Sequence, residues 1–304
     1  MQVNEHFFDG LIGQSCGPRS MSYTWRDVSL YALGVGATRH DLPYFFEKYK
    51  HGMKALPTFA LLPYINTVNM EPIRHVPYGP NELVSDYIVS HIGYTPNRLH
   101  MAMDLTIDGP IDAYGGTFLT EDRVNRVYDR GEGKGVVADC AMEVYERAGR
   151  HVATLHSYHW HKALGGFGGE AFPAVKVDFP NREPDFEAVE FMPDYIACLY
   201  RLSGDTYEVH VDPELAASYG YEQPFAQGLC TYGFAARMLI QQAIPYQPEA
   251  VTHIYAQMRN VCIPGRDVTL QAWKRAEGSL VFTLTDDQGR LLLGNGIFEY
   301  TPTV

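Results

Sequence analysis

Hydrophobic positions divide the chain into helix-like and strand-like segments. Residues 57–69 and 229–243 are apolar on nearly every side, which predicts two helices buried in a core. Alternating segments rich in β-branched and aromatic residues follow these helices, at residues 136–145, 150–161, 267–273, 279–285 and 291–299. A buried helix followed by an antiparallel meander, twice in one chain, predicts an α+β fold.

The two halves of the chain follow one plan. The segment LYALG at residues 30–34 is similar to LYRLS at 199–203, and the turn ERAGR at 146–150 is similar to DDQGR at 286–290. The separation of equivalent positions shrinks from 169 at the first pair (30 and 199) to 140 at the second (150 and 290). The first half therefore carries about 29 extra residues, which we assign to the stretch 69–98.

Prolines mark the boundary between the halves. Pro173, Pro180 and Pro184 interrupt residues 171–190 and prevent a continuous helix there. We therefore expect an N-terminal domain at residues 1–170, a linker at 171–190 and a C-terminal domain at 191–304.

The composition is that of a globular protein with about two domains of roughly 150 residues each, since 46% of its 304 residues are hydrophobic and 20% are charged. The formal net charge of −12 disfavours nucleic acid and anionic membranes as partners. The sequence has no apolar run near the roughly 20 residues of a spanning helix, and residues 1–6 lack signal-peptide features. The last four residues, TPTV, differ from the Ser-Lys-Leu address of peroxisomes, so we expect a soluble cytoplasmic protein.

Cysteine and histidine spacing predicts no metal site. The five cysteines are odd in number and never form a C-x-x-C pair, so neither a disulfide framework nor a zinc cluster is indicated. His159 and His161 share one face of a predicted strand, but no flanking cysteine or carboxylate completes a ligand set. The glycine-rich segment GGFGG at 165–169 lacks the context of a phosphate-binding loop, which predicts a tight turn.

One acid and one base lie close together in the second half. Asp205 follows Gly204 at the end of an apolar segment, and His210 comes five residues later, so one loop can turn both side chains into a cleft. Such a pair can hold a water molecule and transfer its protons. Spacing alone leaves the alternative of a carboxylate satisfied by backbone amides and a surface histidine.

The second predicted core helix begins near this pair. At Gly228 an unpaired backbone N–H and the positive end of the helix dipole would face the same cleft. A negatively charged oxygen that develops during a reaction would be stabilised there.

These residues resemble a known signature. SGD-x-x-x-x-H-x-DP at 203–213 and GLCTYGFAAR at 228–237 are similar to G-D-x-N-P-x-H and H-G-L-C-T-[FY]-G-F of the MaoC-like, type 2 (R-specific) enoyl-CoA hydratases. The resemblance extends over most of the chain, including LYALGVGAT at 30–38, ALPTF at 55–59 and CIPGRDVTLQAWK at 262–274.

The resemblance implies a double hot-dog fold, with two antiparallel sheets that each wrap one buried central helix and join edge to edge. It also implies addition of water to a trans-2-enoyl thioester, giving a (3R)-3-hydroxyacyl-CoA, or the reverse. By the resemblance, Asp205 and His210 hold and activate the water, and Gly228 donates its N–H to the thioester oxygen. No cofactor is implied beyond the CoA that is part of the substrate.

Three positions depart from the family signature. Tyr207 replaces the asparagine that orients water, Glu208 replaces a proline, and Gln227 replaces the histidine before the helix glycine. Tyr207 can supply a hydroxyl and Gln227 an amide in their place, which makes both candidate substrate-binding residues. Glu208 is either a solvated loop residue or an auxiliary acid.

Basic residues near the motifs are candidate ligands for the CoA phosphates, because arginine suits phosphate geometry. Arg237 and Arg259 are the main candidates, and Lys162 and Arg201 are further ones; each has an ordinary structural or solvated charge as its alternative.

The first half is predicted to be catalytically silent. Val35 and Gly36 occupy the positions of Gly204 and Asp205 and supply neither acid nor base. Apolar side chains of the insertion either line a chamber for a long or bulky acyl tail, such as a fatty or steroid side chain, or simply pack: Met70, Ile73, Tyr78, Leu83, Tyr87 and Ile88.

Two other functions remain open at this stage. A non-catalytic acyl-thioester-binding subunit would explain the changes at Tyr207 and Gln227, and it would bind acyl-CoA without turnover. A dehydratase for carrier-bound acyl chains is disfavoured, since an acidic protein repels an acidic carrier. A homodimer is an expected assembly.

Overall fold

One antiparallel sheet organises the fold. The computed structural model describes residues 4–65, 79–93, 97–162, 164–173 and 175–302. In these residues ten strands form the sheet: β1 (Arg19–Thr24), β2 (Arg98–Ile107), β3 (Gly115–Asp129), β4 (Val136–Glu146), β5 (His151–His161), β6 (Phe186–Met192), β7 (Val251–Met258), β8 (Arg266–Ala276), β9 (Ser279–Asp286) and β10 (Leu291–Tyr300).

The order of the strands shows how the two halves are related. The order is β1-β3-β4-β5-β2-β7-β10-β9-β8-β6, so the second half repeats the first in mirrored sequence across the sheet. The halves meet where β2 pairs with β7, with Met103 opposite Ala256 and Leu105 opposite Ile254. All four side chains are buried, so the halves share one continuous core at this junction.

Helices of the described residues cover the sheet: α1 (Trp25–Gly34), α2 (Leu62–Ile65), α3 (Pro80–Ile92), α4 (Ile196–Arg201), α5 (Pro213–Ser218) and α6 (Gly228–Ala243). Short 3₁₀ turns lie at Leu42–Tyr44, Pro57–Leu61, Glu208–His210 and Pro248–Ala250. Within α6 every residue from Leu229 to Ile240 is buried. None of these helices has the length and apolar character needed to cross a bilayer.

Most of the predicted elements are confirmed. The segment predicted at 229–243 is α6, and the five predicted strand segments are β4, β5, β8, β9 and β10. In the segment predicted at 57–69, residues 57–65 form a 3₁₀ turn followed by α2, and residues 66–69 lie outside the described chain. The strand β6 begins at Phe186, inside the range predicted as the linker.

The sheet arrangement agrees with part of one prediction. The sheets of the two halves meet edge to edge through the backbone pairing of β2 with β7, and the described strands thereby form one ten-stranded sheet. A long buried helix is found in the second half, as α6. The described part of the first half has only the 3₁₀ turn and the four-residue α2 in the equivalent place.

The inserted helix α3 packs against the sheet. Its residues Leu83, Tyr87 and Ile88 contact a small core cluster that includes Phe7 and Phe8, and the Tyr87 hydroxyl donates to the Phe7 carbonyl at 2.6 Å. These three side chains therefore pack rather than line a chamber. The other apolar residues proposed for the chamber lie outside the described residues: Met70, Ile73 and Tyr78.

Candidate active site

A cavity of about 820 Å³ lies where the two halves meet. The second half contributes the loop between α4 and α5, the start of α6 and the residues after β7, and the first half contributes residues of α2, α3, β2 and β5. Asp205, His210 and Gly228 all line this cavity. The structure therefore brings the three predicted catalytic residues together.

The loop between α4 and α5 is held at both ends. Gly204 has a φ of +132°, which favours glycine and turns the chain sharply after α4. The Arg201 side chain donates to the Thr206 carbonyl oxygen at 2.9 Å. Asp212 caps α5 by accepting a hydrogen bond from the backbone N–H two residues later at 2.8 Å. These contacts fix the segment that carries the acid and the base.

His210 presents one nitrogen as a base. Its Nδ1 lies 2.9 Å from the carbonyl oxygen of Phe225. A carbonyl oxygen can only accept, so Nδ1 carries the proton and the lone pair is on Nε2. The Phe225 ring packs edge-on against the imidazole, with 5.0 Å between the ring centroids. The tautomer and the ring orientation are both set by Phe225.

Burial moves both groups toward their neutral forms. Loss of solvation raises the pKa of Asp205, while the charge of His210 and the Tyr207 backbone N–H oppose that rise. Loss of solvation lowers the pKa of His210, while the charge of Asp205 and the Phe225 carbonyl oppose that fall. The two side chains thus act on each other, as a cooperating acid and base do. Because its pKa is lowered, His210 is a neutral base at neutral pH.

Gly228 places the N-terminal end of α6 at the cavity wall. It is the first residue of α6, so its N–H has no partner within that helix. A Cβ atom on Gly228 would lie 3.6 Å from Met258 Cγ and 3.8 Å from His100 Nδ1. These are ordinary contact distances, and Gly228 itself lines the cavity. The start of α6 therefore lies at the cavity wall.

Polar side chains of the first half form a hydrogen-bonded row along the cavity. We call Tyr64, His100, Ser157 and His159 the histidine row. The Ser157 hydroxyl lies 3.0 Å from His100 Nε2 and 2.9 Å from His159 Nε2. The Tyr64 hydroxyl lies 2.9 Å from the same nitrogen of His159. The two imidazoles stack with 4.7 Å between centroids, and Tyr64, His100 and His159 line the cavity.

Sequence reasoning missed the histidine row. His159 was interpreted as an ordinary strand histidine, and His100 and Tyr64 belong to no motif. The residues meet because His100 on β2 lies directly opposite His159 on β5. The register between two strands more than fifty positions apart is the only signal, and the sequence pattern does not contain it.

Two family profiles match the chain. The profile described as "MFE-2 hydratase 2 N-terminal domain" matches residues 21–158, and "MaoC like domain" matches residues 176–286. The chain belongs to the MaoC-like hydratase 2 family. The resemblance inferred from the motifs is confirmed.

Relatives of this MaoC-like chain support the assignment. The chain is 26% identical over 300 residues to "Probable enoyl-CoA hydratase 2" of Dictyostelium discoideum, covering 96% of both chains. It is 28% identical to "Peroxisomal multifunctional enzyme type 2" of Drosophila melanogaster, where it covers 92% of this chain but only 46% of that protein. It also aligns with the crystal structure of a MaoC-like dehydratase from Phytophthora capsici, at a TM-score of 0.81 and 28% identity, over 96% and 97% of the two chains.

Tyr207 replaces the signature asparagine of the MaoC-like family with a ring. It lines the cavity, and its ring meets the His210 ring edge-on at 6.0 Å between centroids. Its hydroxyl donates to the Tyr219 hydroxyl at 3.1 Å. The polar end of Tyr207 is therefore engaged by Tyr219, and its aromatic ring faces the His210 imidazole. Glu208 also lines the cavity.

Gln227 lies behind the cavity rather than in it. The side chain is fully buried, and its amide nitrogen donates to the Ala197 carbonyl in α4 at 3.2 Å. Its Oε1 atom has no hydrogen-bond partner in the described residues, and Gln227 is absent from the cavity wall they form. The Gln227 side chain joins α4 to the start of α6. The structure therefore does not bring Gln227 into the cavity where a substrate would bind.

The two arginines predicted to bind substrate have different places. Arg259 is exposed and lines the cavity. Arg237 is 1% exposed and forms an ion pair with Glu190, and its Nε donates to the Val35 carbonyl at 2.9 Å. The prediction for Arg237 is wrong because its planar side chain is used to link the two halves.

The remaining basic and glycine-rich candidates have structural contacts. Lys162 lies over the Trp160 ring, 5.0 Å from its centroid. In the glycine-rich segment, the N–H groups of Gly166 and Gly168 donate to the Asp129 carboxylate at 2.7 and 2.8 Å. Because a carboxylate of the chain itself occupies those donors, the segment is a turn and not a phosphate cradle. The described residues contain no cluster of His, Cys, Asp and Glu suited to a metal ion.

Proposed function

We propose that the protein is an R-specific enoyl-CoA hydratase, also active in reverse as a 3-hydroxyacyl-CoA dehydratase, for long or bulky acyl groups such as fatty or steroid side chains. Membership of the MaoC-like hydratase 2 family makes the chain a hydro-lyase. The observation that carries the proposal is the meeting of Asp205, His210 and the Gly228 end of α6 in one cavity.

The geometry suits addition of water to a conjugated thioester. His210 Nε2 accepts a proton from a water molecule that Asp205 holds, and the water oxygen bonds to C3 of the substrate. The electrons of the C2–C3 double bond move to the thioester oxygen, which accepts the Gly228 N–H at the positive end of α6. The enolate then collapses and C2 takes a proton from the acid that has formed on the pair. Each atom added to the substrate comes from the one water molecule.

The size and edge of the cavity support an acyl-CoA substrate. A volume of about 820 Å³ is in the upper part of the range for small-molecule sites and has room for a long or bulky acyl group. Arg259 lines the cavity and is exposed, and a guanidinium at this edge suits binding of the CoA phosphates. No other cofactor is needed for this reaction, and we retain that expectation together with a cytoplasmic location and a homodimer.

The test is a spectrophotometric assay with matched variants. Purified protein is mixed with trans-2-enoyl-CoAs of short, long and steroid-bearing chains, and loss of the enoyl-thioester absorbance is followed. We expect turnover by the native protein and a decrease of at least about a hundredfold for Asp205→Asn. Asp212→Asn is the control, because Asp212 lies in the same loop but serves as the cap of α5, a role that asparagine also fills.

The assay also separates the alternative functions. Turnover that Asp205→Asn leaves intact would contradict the assigned mechanism. An absence of turnover on every CoA ester, with acyl-CoA binding retained in calorimetry, would favour a non-catalytic binding subunit. Turnover of acyl groups only when they are bound to a carrier protein would favour the dehydratase of an assembly pathway.

A further inference from the structure

His100 turns an acceptor toward the cavity. Its Nε2 lies 3.1 Å from the Ala102 carbonyl oxygen, which can only accept, so Nε2 carries the proton. The lone pair is then on Nδ1, the atom that lies 3.8 Å from the position of a Cβ on Gly228. A ligand that satisfies Nδ1 must therefore bring a hydrogen-bond donor. This atom is a fixed feature of the cavity wall next to the helix end.

In the proposed reaction, His100 Nδ1 lies beside the path of the acyl chain. In the proposed reaction the thioester oxygen lies at the Gly228 N–H, so the first carbons of the acyl group pass close to His100. The rest of the histidine row extends from there into the first half, with His159 stacked on His100 and Tyr64 stacked on His159 at 6.4 Å between centroids. C3 faces Asp205 and His210, so the group that meets His100 is on a carbon beyond C3.

The histidine row is neutral. Loss of solvation lowers the pKa of His100 to about 4 and lowers the pKa of His159 well below its ordinary value. The nearby guanidinium of Arg98 is paired with the Glu82 carboxylate at 3.2 Å. Uncharged imidazoles suit an uncharged donor rather than a carboxylate or an ammonium group.

A plain alkyl chain is a poor match for this wall. An alkyl group packed against His100 Nδ1 excludes water and leaves the acceptor without a donor. A binding site with fixed polar groups discriminates against a substrate that lacks the matching group. A hydroxyl satisfies both needs, because it donates to Nδ1 of His100 and can accept from neighbouring donors.

We propose that the histidine row binds a hydroxyl group carried by the acyl chain beyond C3, so that the preferred substrates are hydroxylated enoyl-CoAs. The proposal depends on the proposed function, since it places the acyl chain in the cavity by that reaction. It adds a specificity-determining role for His100 in a half that supplies no catalytic acid or base.

The test compares paired substrates that differ in one hydroxyl. Enoyl-CoAs of one chain length are prepared without and with a hydroxyl at successive carbons beyond C3, and kcat/KM is measured for each. We expect the native protein to prefer one hydroxylated isomer by about ten- to a hundredfold. His100→Leu should reduce that ratio to about one, and His100→Asn, whose amide can replace the acceptor, should restore part of it. His40→Leu, a change on the exposed surface, should leave the ratio unaltered.

Binding measurements keep this test independent of turnover. Calorimetry with saturated acyl-CoAs, with and without the hydroxyl, gives the same ratio from dissociation constants of Asp205→Asn protein. Equal affinity for both members of every pair would overturn the proposal even if the protein is a hydratase. An equal loss of kcat/KM on all substrates in His100→Leu would also overturn it, because His100 would then serve the reaction itself. A hydroxyl preference in binding without turnover would support the histidine row and reject the proposed reaction.

Discussion

At the scale of single residues, the acid and the base differ in how the chain fixes them. His210 is oriented by the Phe225 carbonyl and ring, whereas Asp205 accepts a long 3.4 Å contact from the Tyr207 backbone N–H. The histidine therefore has one fixed tautomer, and the carboxylate keeps capacity to accept from a water molecule. The substituted Tyr207 contributes an aromatic wall where the family signature has a water-binding amide.

These two residues predict the pH dependence of the reaction. Hydration needs neutral His210, whose pKa is lowered from 6.5, and ionised Asp205, whose pKa is raised from 3.8. Protonation of either group stops the reaction, so kcat/KM should fall on the acid side, where His210 or Asp205 takes up a proton. A pH profile of kcat/KM measures this directly. A kcat/KM that does not fall on the acid side, or a profile that Asp212→Asn shifts, would contradict the assignment.

At the scale of elements, two glycines of α6 separate catalysis from packing. A methyl group on Gly228 meets its neighbours at 3.6 Å or more, so Gly228→Ala should fold normally while narrowing the cavity beside the N–H that receives the thioester oxygen in the proposed reaction. A methyl on Gly233 would lie 2.6 Å from Val35 Cγ1 and 2.8 Å from the Tyr31 hydroxyl. Gly233→Ala should therefore cost about 1 to 3 kcal/mol of unfolding free energy.

The two glycine variants control for each other. Urea unfolding should show Gly228→Ala near the native stability, with kcat/KM lowered by about a hundredfold. The Gly233→Ala protein that remains folded should retain activity. A Gly228→Ala protein with native kcat/KM would show that the thioester oxygen binds somewhere else.

The sequence predicts some elements of this fold better than others. β4, β5, β8, β9 and β10 alternate or are bounded by turn residues, and α6 is a long apolar run, so local pattern is enough to find them. β2 was missed although its sequence alternates in the same way, with apolar residues at every second position: Leu99, Met101, Met103, Leu105 and Ile107. The contact of β2 with β7 is not local, and no periodicity along the chain specifies it.

The site shows the same division. Asp205, His210 and Gly228 lie within one segment of the chain and were found from motif and spacing. The histidine row depends on strand register, and the place of Arg237 depends on a contact with a carbonyl about two hundred positions away. A motif identifies the residue types near a reaction, but burial decides which of them reach the cavity.

At the scale of the whole molecule, the mirrored strand order makes the two halves one structural unit, and the candidate active site lies where they meet. The β2–β7 pairing joins their sheets, and the cavity takes residues from both sides of that junction. The first half therefore supplies part of the cavity wall, although the candidate acid and base, Asp205 and His210, belong to the second half. The buried Arg237 is a second link, since it bonds Val35 after α1 and Glu190 in β6.

Two arginine substitutions test this link against substrate binding. Arg237→Met leaves the Val35 carbonyl and the Glu190 carboxylate without their donor, and we expect a loss of about 3 kcal/mol in unfolding free energy. KM of the folded variant should remain near the native value, because Arg237 lies outside the described cavity wall. Arg259→Met should do the opposite, raising KM for acyl-CoA with little change in stability, since Arg259 is exposed at the cavity. Urea unfolding and steady-state kinetics on both variants decide the matter. A raised KM with native stability in Arg237→Met would show that Arg237 contacts the substrate and does not stabilise the contact between the halves.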